Sequence, residues 1–498
     1  MIRRGSGILM HITSLPSSFG IGDFGPEAYR FADFLAETKQ SCWQILPLTP
    51  TDPMHGNSPY SSASSSAISP WMLSPELMVE GGFLKESDLN SAQDFNQDKV
   101  DFGAVAEYKK TLLDKAYSRF KENSHRTDFE FFCRDHAYWL DDFALFMILK
   151  GSFGGKAWNQ WPVEYRDRHQ DTMENAKADH EENIEREKFI QYLCYKQWFA
   201  LREYCNDRGV QLFGDIPIYV NYDSVDVWSN PQIFKLNDDK TPTFVAGVPP
   251  DYFSETGQLW GNPVYNWDVL RDSGYQWWIR RLRHNFRQFD IIRIDHFRGL
   301  VAYWEVPNGE ETAINGKWVK VPVDDFFNTM LKHFFLPPIV AEDLGMITAD
   351  VRETLKKYAF PGMKILMFGF GADDPNHPYL PHNYEKNYVA YTATHDNNTV
   401  RGWFEGETNP EIRKRLFKYI GREVSSQELP WEMIRLVMAS CAALTIFPMQ
   451  DVLCLGGETR MNRPAHGNGN WNWRMKPDSI SPDVIDKLAE FTYIYNRV

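Results

Sequence analysis

The chain has 498 residues, with 53 Lys or Arg against 67 Asp or Glu, so its formal net charge is −14 with neutral histidines. Proteins that bind nucleic acids or anionic membranes normally carry a basic stripe, and no Lys/Arg cluster here is long enough to outweigh the acidic excess. With 43% hydrophobic and 24% charged residues, the composition is that of a folded globule. We therefore expect neither nucleic acid nor membrane as a partner.

The same sequence predicts a soluble, cytoplasmic protein. The apolar stretch at residues 7–10 is too short for a signal peptide, and no run reaches the roughly 18 apolar residues of a membrane span. The 6 cysteines are scattered without a C-x-x-C pair, which favours reduced, buried thiols over disulfides or zinc.

Short apolar runs that end in a polar or charged residue recur along the chain and predict its strands. They cover residues 7–14, 42–50, 211–218, 291–297, 338–344, 364–370, 388–396 and 444–452. Runs that are apolar on successive residues indicate strands buried on both faces, as in parallel sheets covered by helices. Helical periodicity lies between them, at residues 26–38, 190–208, 275–289, 348–358 and 409–421. This alternation predicts an α/β fold, a single (β/α)8 TIM barrel over residues 1–498.

Uneven spacing between the predicted strands indicates large insertions at the carboxyl-terminal face of the barrel. Residues 51–210 exceed what one helix requires and predict a largely helical subdomain at the barrel mouth. Its stretch 174–188 is charged on nearly every face, as expected for a solvated helix or connector. Residues 219–265 are rich in Asp, Pro, Gly and aromatic residues without a steady period, and predict a long loop over the active site.

Four carboxylates stand where an apolar run stops: Asp215, Asp295, Glu342 and Asp396. A carboxylate buried at the end of an apolar strand is costly unless it is paired or used in chemistry. Each acid alone could cap a helix or pair with an arginine, such as Arg293 beside Asp295. Since barrel strands all end at one mouth, the set of four favours a common active site.

Asp295 and Glu342 form the pair best placed for cleavage of a glycosidic bond. Retaining enzymes hold two carboxyl groups about 5–5.5 Å apart, and adjacent strands lie about 4.8 Å apart. Arg293 shares a strand face with Asp295 and would keep it ionised as a nucleophile. Burial and neighbouring anions would let Glu342 keep a proton near neutral pH.

Aromatic residues make up 15% of the chain, with 17 Trp. Their flat apolar faces suit the C–H faces of sugar rings, although an aromatic-rich core would explain the composition equally well.

Several longer segments together resemble one family. They are RGSGILMHITSLPSSFGIGDFG, GNSPYSS, FGDIPIYV, GVPPDYFSETGQLWGNPVYNW, IIRIDHFRG, VAEDLG, THDNNT and RMNRPAHGNGNWNWR. Their order and combination are similar to the 4-α-glucanotransferases of the amylomaltase or disproportionating-enzyme family, barrel relatives of the α-amylases. The resemblance covers essentially the whole chain.

The resemblance implies roles for residues at the barrel mouth. Asp295 is then the nucleophile, Glu342 the general acid/base, and Asp396 the residue that holds the sugar hydroxyls and stabilises the transition state. The arginine matching Arg293 orients the nucleophile, and the histidine matching His395 contacts the reacting sugar.

The remaining implied contacts surround that centre. Asp215 supports the same sugar subsite, and Tyr60 helps to bind the glucan chain unless it belongs to the core. Residues 251–260 correspond to a mobile loop that arches over the glucan, with Trp260 either a stacking platform or a packing residue. Asn462, Asn470 and Arg474 are each either a sugar contact or a structural contact. One departure follows Asn462, because Ala465-His466 stands where the family commonly has Gly-Thr.

The activity so implied is transfer of a segment of an α-1,4-glucan or maltooligosaccharide to the 4-hydroxyl of an acceptor sugar such as glucose, without a cofactor or metal. A plain α-glucan hydrolase remains open, because residue chemistry does not decide between sugar and water as acceptor. A metal-dependent barrel hydrolase, suggested by the neighbouring pairs Asp295-His296 and His395-Asp396, and a non-catalytic starch-binding module are further alternatives.

Overall fold

The computed structural model describes residues 3–89, 94–122, 126–250, 254–345, 347–464, 466–467 and 469–498. Across these residues the strands are β1 (Gly5–Leu9), β2 (Cys42–Gln44), β3 (Gln211–Pro217), β4 (Phe244–Val248), β5 (Gln258–Pro263), β6 (Ile291–Asp295), β7 (Ala302–Pro307), β8 (Lys317–Lys320), β9 (Ile339–Ala341), β10 (Gly362–Ile365), β11 (Tyr388–Tyr391) and β12 (Leu444–Pro448).

The α-helices of the same residues alternate with the strands and fill the long connections. They are α1 (Pro26–Glu37), α2 (Pro75–Glu80), α3 (Glu86–Leu89), α4 (Phe102–Glu122), α5 (Thr127–Ser152), α6 (Val163–Arg166), α7 (Gln170–Asp179), α8 (Glu181–Asp207), α9 (Val225–Ser229), α10 (Trp267–Asp272), α11 (Gln276–Gln288), α12 (Val323–His333), α13 (Ala349–Tyr358), α14 (Val400–Gly406), α15 (Pro410–Ile420), α16 (Leu429–Ala439), α17 (Met449–Val452) and α18 (Pro482–Ile494). None of these helices is long and apolar enough to cross a bilayer.

The main sheet has eight strands in the order β10-β11-β12-β1-β2-β3-β6-β9, and every neighbouring pair is parallel. The two outer strands of this sheet, β9 and β10, lie close to each other. The amide of Ala341 on β9 donates to the carbonyl of Pro361, just before β10, at 2.8 Å. The amide of Met363 also donates to Asp343 at 2.6 Å. The sheet therefore curls into a (β/α)8 barrel, and each of the eight predicted apolar runs overlaps one barrel strand.

Burial on both faces explains why these runs form barrel strands. Every residue of β1 and β12 is buried, and the two strands pair along their whole length. Close packing also limits residue size: a Cβ on Gly7 would come within 2.3 Å of the carbonyl oxygen of Cys42 on β2. The barrel interior is thus a packed core that leaves chemistry to the strand ends.

Four of the five predicted helices are present with their ends shifted by at most one residue. In α15, Asn409 caps the first turn by accepting from the amide of Ile412 at 2.9 Å, and Gly421 ends the helix with φ 90°. The predicted helix at 190–208 is the second part of α8, which begins at Glu181. The charged stretch 174–188 lies on α7 and α8, which meet at His180.

Residues 51–210 contain α2 to α8, and their aromatic side chains pack together. Phe120 of α4 stacks on Phe189 of α8 with ring centroids 4.4 Å apart. The buried Lys109 of α4 donates to the carbonyls of Trp71 and Leu73 at 2.7 Å each, which ties α4 to the connection after β2. The division of the chain at residues 51 and 210 remains a prediction.

The segment of residues 219–265, predicted as a long loop over the active site, contains regular elements that its sequence did not indicate. Helix α9 and strands β4 and β5 lie within it, and the strands join an antiparallel sheet of order β5-β4-β7-β8. Two of its strands come from residues 302–320, beyond β6. Because short strands are stabilised by partners distant in the chain, local periodicity does not reveal them.

Candidate active site

The four predicted acids meet at the carboxyl ends of the barrel strands. Asp215 lies within β3, Asp295 is the last residue of β6, and Glu342 and Asp396 follow β9 and β11 closely. Strand β6 is hydrogen-bonded to β3 on one side and to β9 on the other. The sheet therefore places Asp295 between the strands of Asp215 and Glu342.

The register of β6 and β9 places the Asp295–Glu342 pair side by side. Ile294 is paired with Ala341, and the next residues on the two strands are Asp295 and Glu342. The amide of Glu342 also donates to the carbonyl of Ile294 at 3.0 Å. The two carboxyl groups thus share one wall of the barrel mouth.

Arg293 connects two of the acids through the two ends of its guanidinium. Its Nη1 lies 2.5 Å from Oδ2 of Asp215, and its Nη2 lies 2.6 Å from Oδ1 of Asp295. The side chains of Arg293 and Asp215 are 4% and 0% exposed, whereas that of Asp295 is 28% exposed. A buried cation, anchored by Asp215, therefore pairs with Asp295, whose side chain is partly exposed at the barrel mouth.

Glu342 is held by main-chain donors. Its Oε2 accepts from the amide of His296 and its Oε1 from the amide of Leu344, each at 2.8 Å. His296 has φ 51°, a left-handed conformation at the turn after β6. Burial, followed by the charge of Asp295, raises the pKa of Glu342 to about 8, against the opposing charge of Arg293 and these amide contacts. Glu342 therefore carries a proton at neutral pH.

The surroundings of Asp396 lower the pKa of its carboxyl, whereas those of Glu342 raise it. Oδ1 of Asp396 accepts from Nδ2 of Asn462 at 2.6 Å, and its Oδ2 lies 3.3 Å from Nε2 of His395. Burial alone would raise the pKa of Asp396, but His395 and the Asn462 hydrogen bond outweigh it and hold the pKa well below its usual range. The side chain is 40% exposed, so an ionised carboxylate remains available at the mouth.

Tyr60 links the two sides of the site. Its hydroxyl lies 2.7 Å from Oδ2 of Asp215 and 2.8 Å from Nε2 of His395, and its ring stacks on His395 with centroids 5.4 Å apart. The residue is half-buried. Tyr60 therefore belongs to the site network and not only to the core.

Trp260 lies on β5 beside the turn that follows β6. Its ring stands perpendicular to that of His296 with centroids 4.7 Å apart, and the side chain is 37% exposed. The structure thus brings a partly open indole face to the predicted site. Residues 251–253 of the predicted mobile loop, like Ala465, lie outside the described residues.

Sequence reasoning missed one contact of this site and left two others open. Arg460 donates to the main-chain carbonyls of Asp396 and Asn462, at 2.7 and 2.6 Å. Arg474 is a structural residue, because its buried guanidinium donates to the carbonyls of Asn96 and Ser17. Contacts to main-chain oxygens leave no signature in a sequence.

Asn470 likewise has a structural role. Its side chain accepts from the amide of Arg463 at 2.9 Å and donates to the carbonyl of His466 at 2.8 Å. These bonds close the segment that follows Asn462. Over the part of the chain that the structure describes, no three His, Cys, Asp or Glu side chains gather as a metal site would require.

A parallel barrel with an arginine-bound aspartate beside a glutamic acid of raised pKa defines the class of the protein as a barrel enzyme acting on glycosidic bonds. Comparison with known proteins narrows that class. The sequence model of glycoside hydrolase family 77, described as 4-alpha-glucanotransferase, matches residues 10–480. The chain belongs to this family.

Full-length relatives agree with this assignment. The chain is 48% identical to a 4-alpha-glucanotransferase of Aquifex aeolicus over 99% of both chains, and 43% identical to one of Thermus thermophilus, again over 99% of both. Among solved structures, the amylomaltase of Streptococcus agalactiae in complex with acarbose superimposes with a TM-score of 0.96 at 41% identity, covering 99% of this chain and 100% of that one. The amylomaltase of Corynebacterium glutamicum shares the fold at 20% identity, with a TM-score of 0.80 over 98% of this chain and 75% of that one.

Proposed function

We propose that this enzyme transfers a segment of an α-1,4-glucan to the 4-hydroxyl of an acceptor sugar, with retention of configuration, through a covalent intermediate on Asp295. The observation that carries the assignment of roles is the contrast between neighbouring acids. Asp295 is bound by the Arg293 cation, whereas Glu342 keeps its proton at neutral pH. A double displacement requires this division into nucleophile and acid.

In the first step the Asp295 carboxylate attacks the anomeric carbon of the glucan. The bond from this carbon to the glycosidic oxygen breaks, and Glu342 gives its proton to that oxygen as the chain departs. The product is a glycosyl ester on Asp295 and an ionised Glu342.

In the second step Glu342 acts as the base. It takes the proton from the 4-hydroxyl of the acceptor, whose oxygen attacks the anomeric carbon and releases Asp295 as a carboxylate. Two inversions at the same carbon restore the α configuration. The enzyme ends with the protons where it started.

The other residues of the mouth bind and orient the reacting sugar. Asp396 is ionised and partly exposed, which suits hydrogen bonds to sugar hydroxyls that strengthen in the transition state. His395 and Asn462 hold the carboxylate of Asp396 and are proposed to contact the sugar as well. Trp260 offers a stacking face next to His296, the residue after Asp295, and aromatic faces suit sugar rings.

Arg293, Asp215 and Tyr60 form the buried side of this arrangement. Arg293 orients Asp295, while Asp215 balances the charge of Arg293 and accepts from Tyr60. The Tyr60 ring, half-buried at the mouth, is proposed to contact the glucan chain as well.

The proposed substrates are α-1,4-glucans and maltooligosaccharides, with glucose as one acceptor. Family membership supports this class of substrate, and the amylomaltase of Streptococcus agalactiae has been solved with acarbose. A cytoplasmic location remains a prediction from the cysteine pattern.

Incubation of the purified enzyme with maltotriose tests the proposal. Transfer predicts glucose together with oligosaccharides longer than maltotriose, in amounts unchanged by exhaustive chelation. Hydrolysis would instead yield glucose and maltose with nothing longer than the substrate. The second pattern would show that the enzyme is an α-glucan hydrolase and not a transferase. Loss of activity on chelation would favour the metal-dependent hydrolase.

A further inference from the structure

We propose that Arg460 is a positioning residue for the reaction, which acts by fixing Asp396 and Asn462 in the geometry that binds the reacting sugar. This inference rests on the proposed function, because it assigns Arg460 to the sugar-binding acid of that mechanism. Arg460 itself is not proposed to touch the substrate.

The guanidinium of Arg460 joins two separate parts of the chain. Its Nη2 donates to the main-chain carbonyl of Asp396, just after β11, at 2.7 Å, and its Nε donates to the carbonyl of Asn462 at 2.6 Å. The side chains of the same two residues meet at 2.6 Å, from Nδ2 of Asn462 to Oδ1 of Asp396. One guanidinium thus binds the backbones of both partners of a hydrogen bond at the mouth.

A second main-chain bond completes this arrangement. The amide of Asn462 donates to the carbonyl of His395 at 3.1 Å. Arg460, Asn462 and the 395–396 turn therefore form a closed set of hydrogen bonds. A rigid planar donor is suited to this task, because its hydrogen bonds have fixed relative directions.

The outer side of Arg460 is anchored by another element. Its Nη1 lies 3.4 Å from Oε1 of Glu407, and the same oxygen accepts from Nδ2 of Asn398 at 2.8 Å. Glu407 directly follows α14, and the Arg460 side chain is 18% exposed. Glu407 at the end of α14 therefore anchors Nη1 of Arg460, while Nη2 and Nε bind the carbonyls of Asp396 and Asn462.

The consequence for catalysis follows from the exposure of Asp396. A carboxylate that is 40% exposed keeps its direction only if its backbone and its partner are fixed. Hydrogen bonds from Asp396 to the sugar are proposed to strengthen in the transition state, so a small displacement would cost more there than in the ground state. Loss of Arg460 should therefore lower kcat more than it raises KM.

The test compares Arg460→Ala and Arg460→Lys with Arg413→Ala in the full-length enzyme. Arg413 is the matched control, because it also donates to a main-chain carbonyl, that of Phe404 at 2.7 Å, but lies behind α14. Kinetics with maltotriose should show an Arg460→Ala loss of about 10²-fold in kcat with KM changed by less than about threefold. Arg460→Lys should recover part of kcat, and Arg413→Ala should keep the wild-type kcat.

A double variant separates positioning from general stability. If Arg460 acts through Asn462 and Asp396, Arg460→Ala added to Asn462→Ala should lower kcat by less than about threefold further. Losses that multiply, or equal kcat losses in Arg460→Ala and Arg413→Ala that follow their melting temperatures, would overturn the inference. A wild-type enzyme that makes no transfer products from maltotriose would instead contradict the proposed function.

Discussion

The two acids that share the wall of the barrel mouth have unlike surroundings. Asp295 is bound by the guanidinium of Arg293, whose charge Asp215 balances from the buried side. Glu342, one strand away, accepts from two main-chain amides. For Glu342, burial and the charge of Asp295 outweigh the opposing charge of Arg293 and the two amide contacts, so its pKa is raised.

This difference explains how the neighbouring strands β6 and β9 can supply both a nucleophile and an acid. The charge of Asp295 itself helps to raise the pKa of Glu342, so ionisation of one residue favours protonation of the other. The assignment of roles is therefore a property of the pair together with Arg293. Changes to each member should give different and separable effects.

Replacement of the nucleophile should have the largest effect. Asp295→Asn keeps the shape of the side chain but removes the attacking charge, so turnover should fall by at least about 10⁴-fold. Binding of maltoheptaose, measured by titration calorimetry, should remain. An equal loss of binding and turnover would instead favour a starch-binding protein without this chemistry.

Replacement of the acid should have a smaller effect that depends on the leaving group. Glu342→Gln should lower kcat on maltotriose by about 10²- to 10⁴-fold, because proton transfer is lost from both steps. The first step with α-maltotriosyl fluoride needs no proton, so release of fluoride in the first turnover should be much less impaired. Equal losses with both donors would show that Glu342 does not protonate the leaving oxygen.

Replacement of Arg293, the cation shared by Asp215 and Asp295, should lower kcat by a smaller factor again. Arg293→Lys retains a charge but cannot bridge Asp215 and Asp295 with a planar fork, and kcat should fall by about 10²-fold. The control is Arg202→Lys, since Arg202 pairs with Asp290 at 2.5 Å, before the start of β6 and away from the mouth. Similar losses of kcat in the two variants would contradict the specific role of Arg293.

The pH dependence should reveal the proton on Glu342. Since the acid must be protonated in the free enzyme, kcat/KM should decline about tenfold per pH unit above the Glu342 pKa of about 8. Below that pKa Glu342 keeps its proton, so its ionisation should leave kcat/KM unchanged there. A decline centred near pH 4.5 would mean that burial does not shift this group.

Much of the fold was predictable because it depends on local patterns. Apolar runs buried on both faces marked all eight barrel strands, and acids at their ends marked the mouth. The antiparallel sheet escaped prediction because its partners are distant in the chain: β4 pairs with β7 across an antiparallel register that joins Gly247 to Trp304. No periodicity within residues 219–265 carries that information.

The site was predictable to the extent that side chains determine it. The acids and Arg293 follow from strand register and charge. The donors to Glu342 do not, because they are main-chain amides placed by the left-handed turn at His296. Arg460 was missed for the same reason, since both of its closest partners are carbonyl oxygens.

Trapping the intermediate tests the central claim most directly. Glu342→Gln enzyme given α-maltotriosyl fluoride should form the glycosyl ester and release it slowly, because the base for the second step is missing. After digestion at low pH, mass spectrometry should find the added maltotriosyl group on the peptide that contains Asp295. A group attached to Asp396 or Asp215, or fluoride release without any adduct, would contradict the double displacement through Asp295.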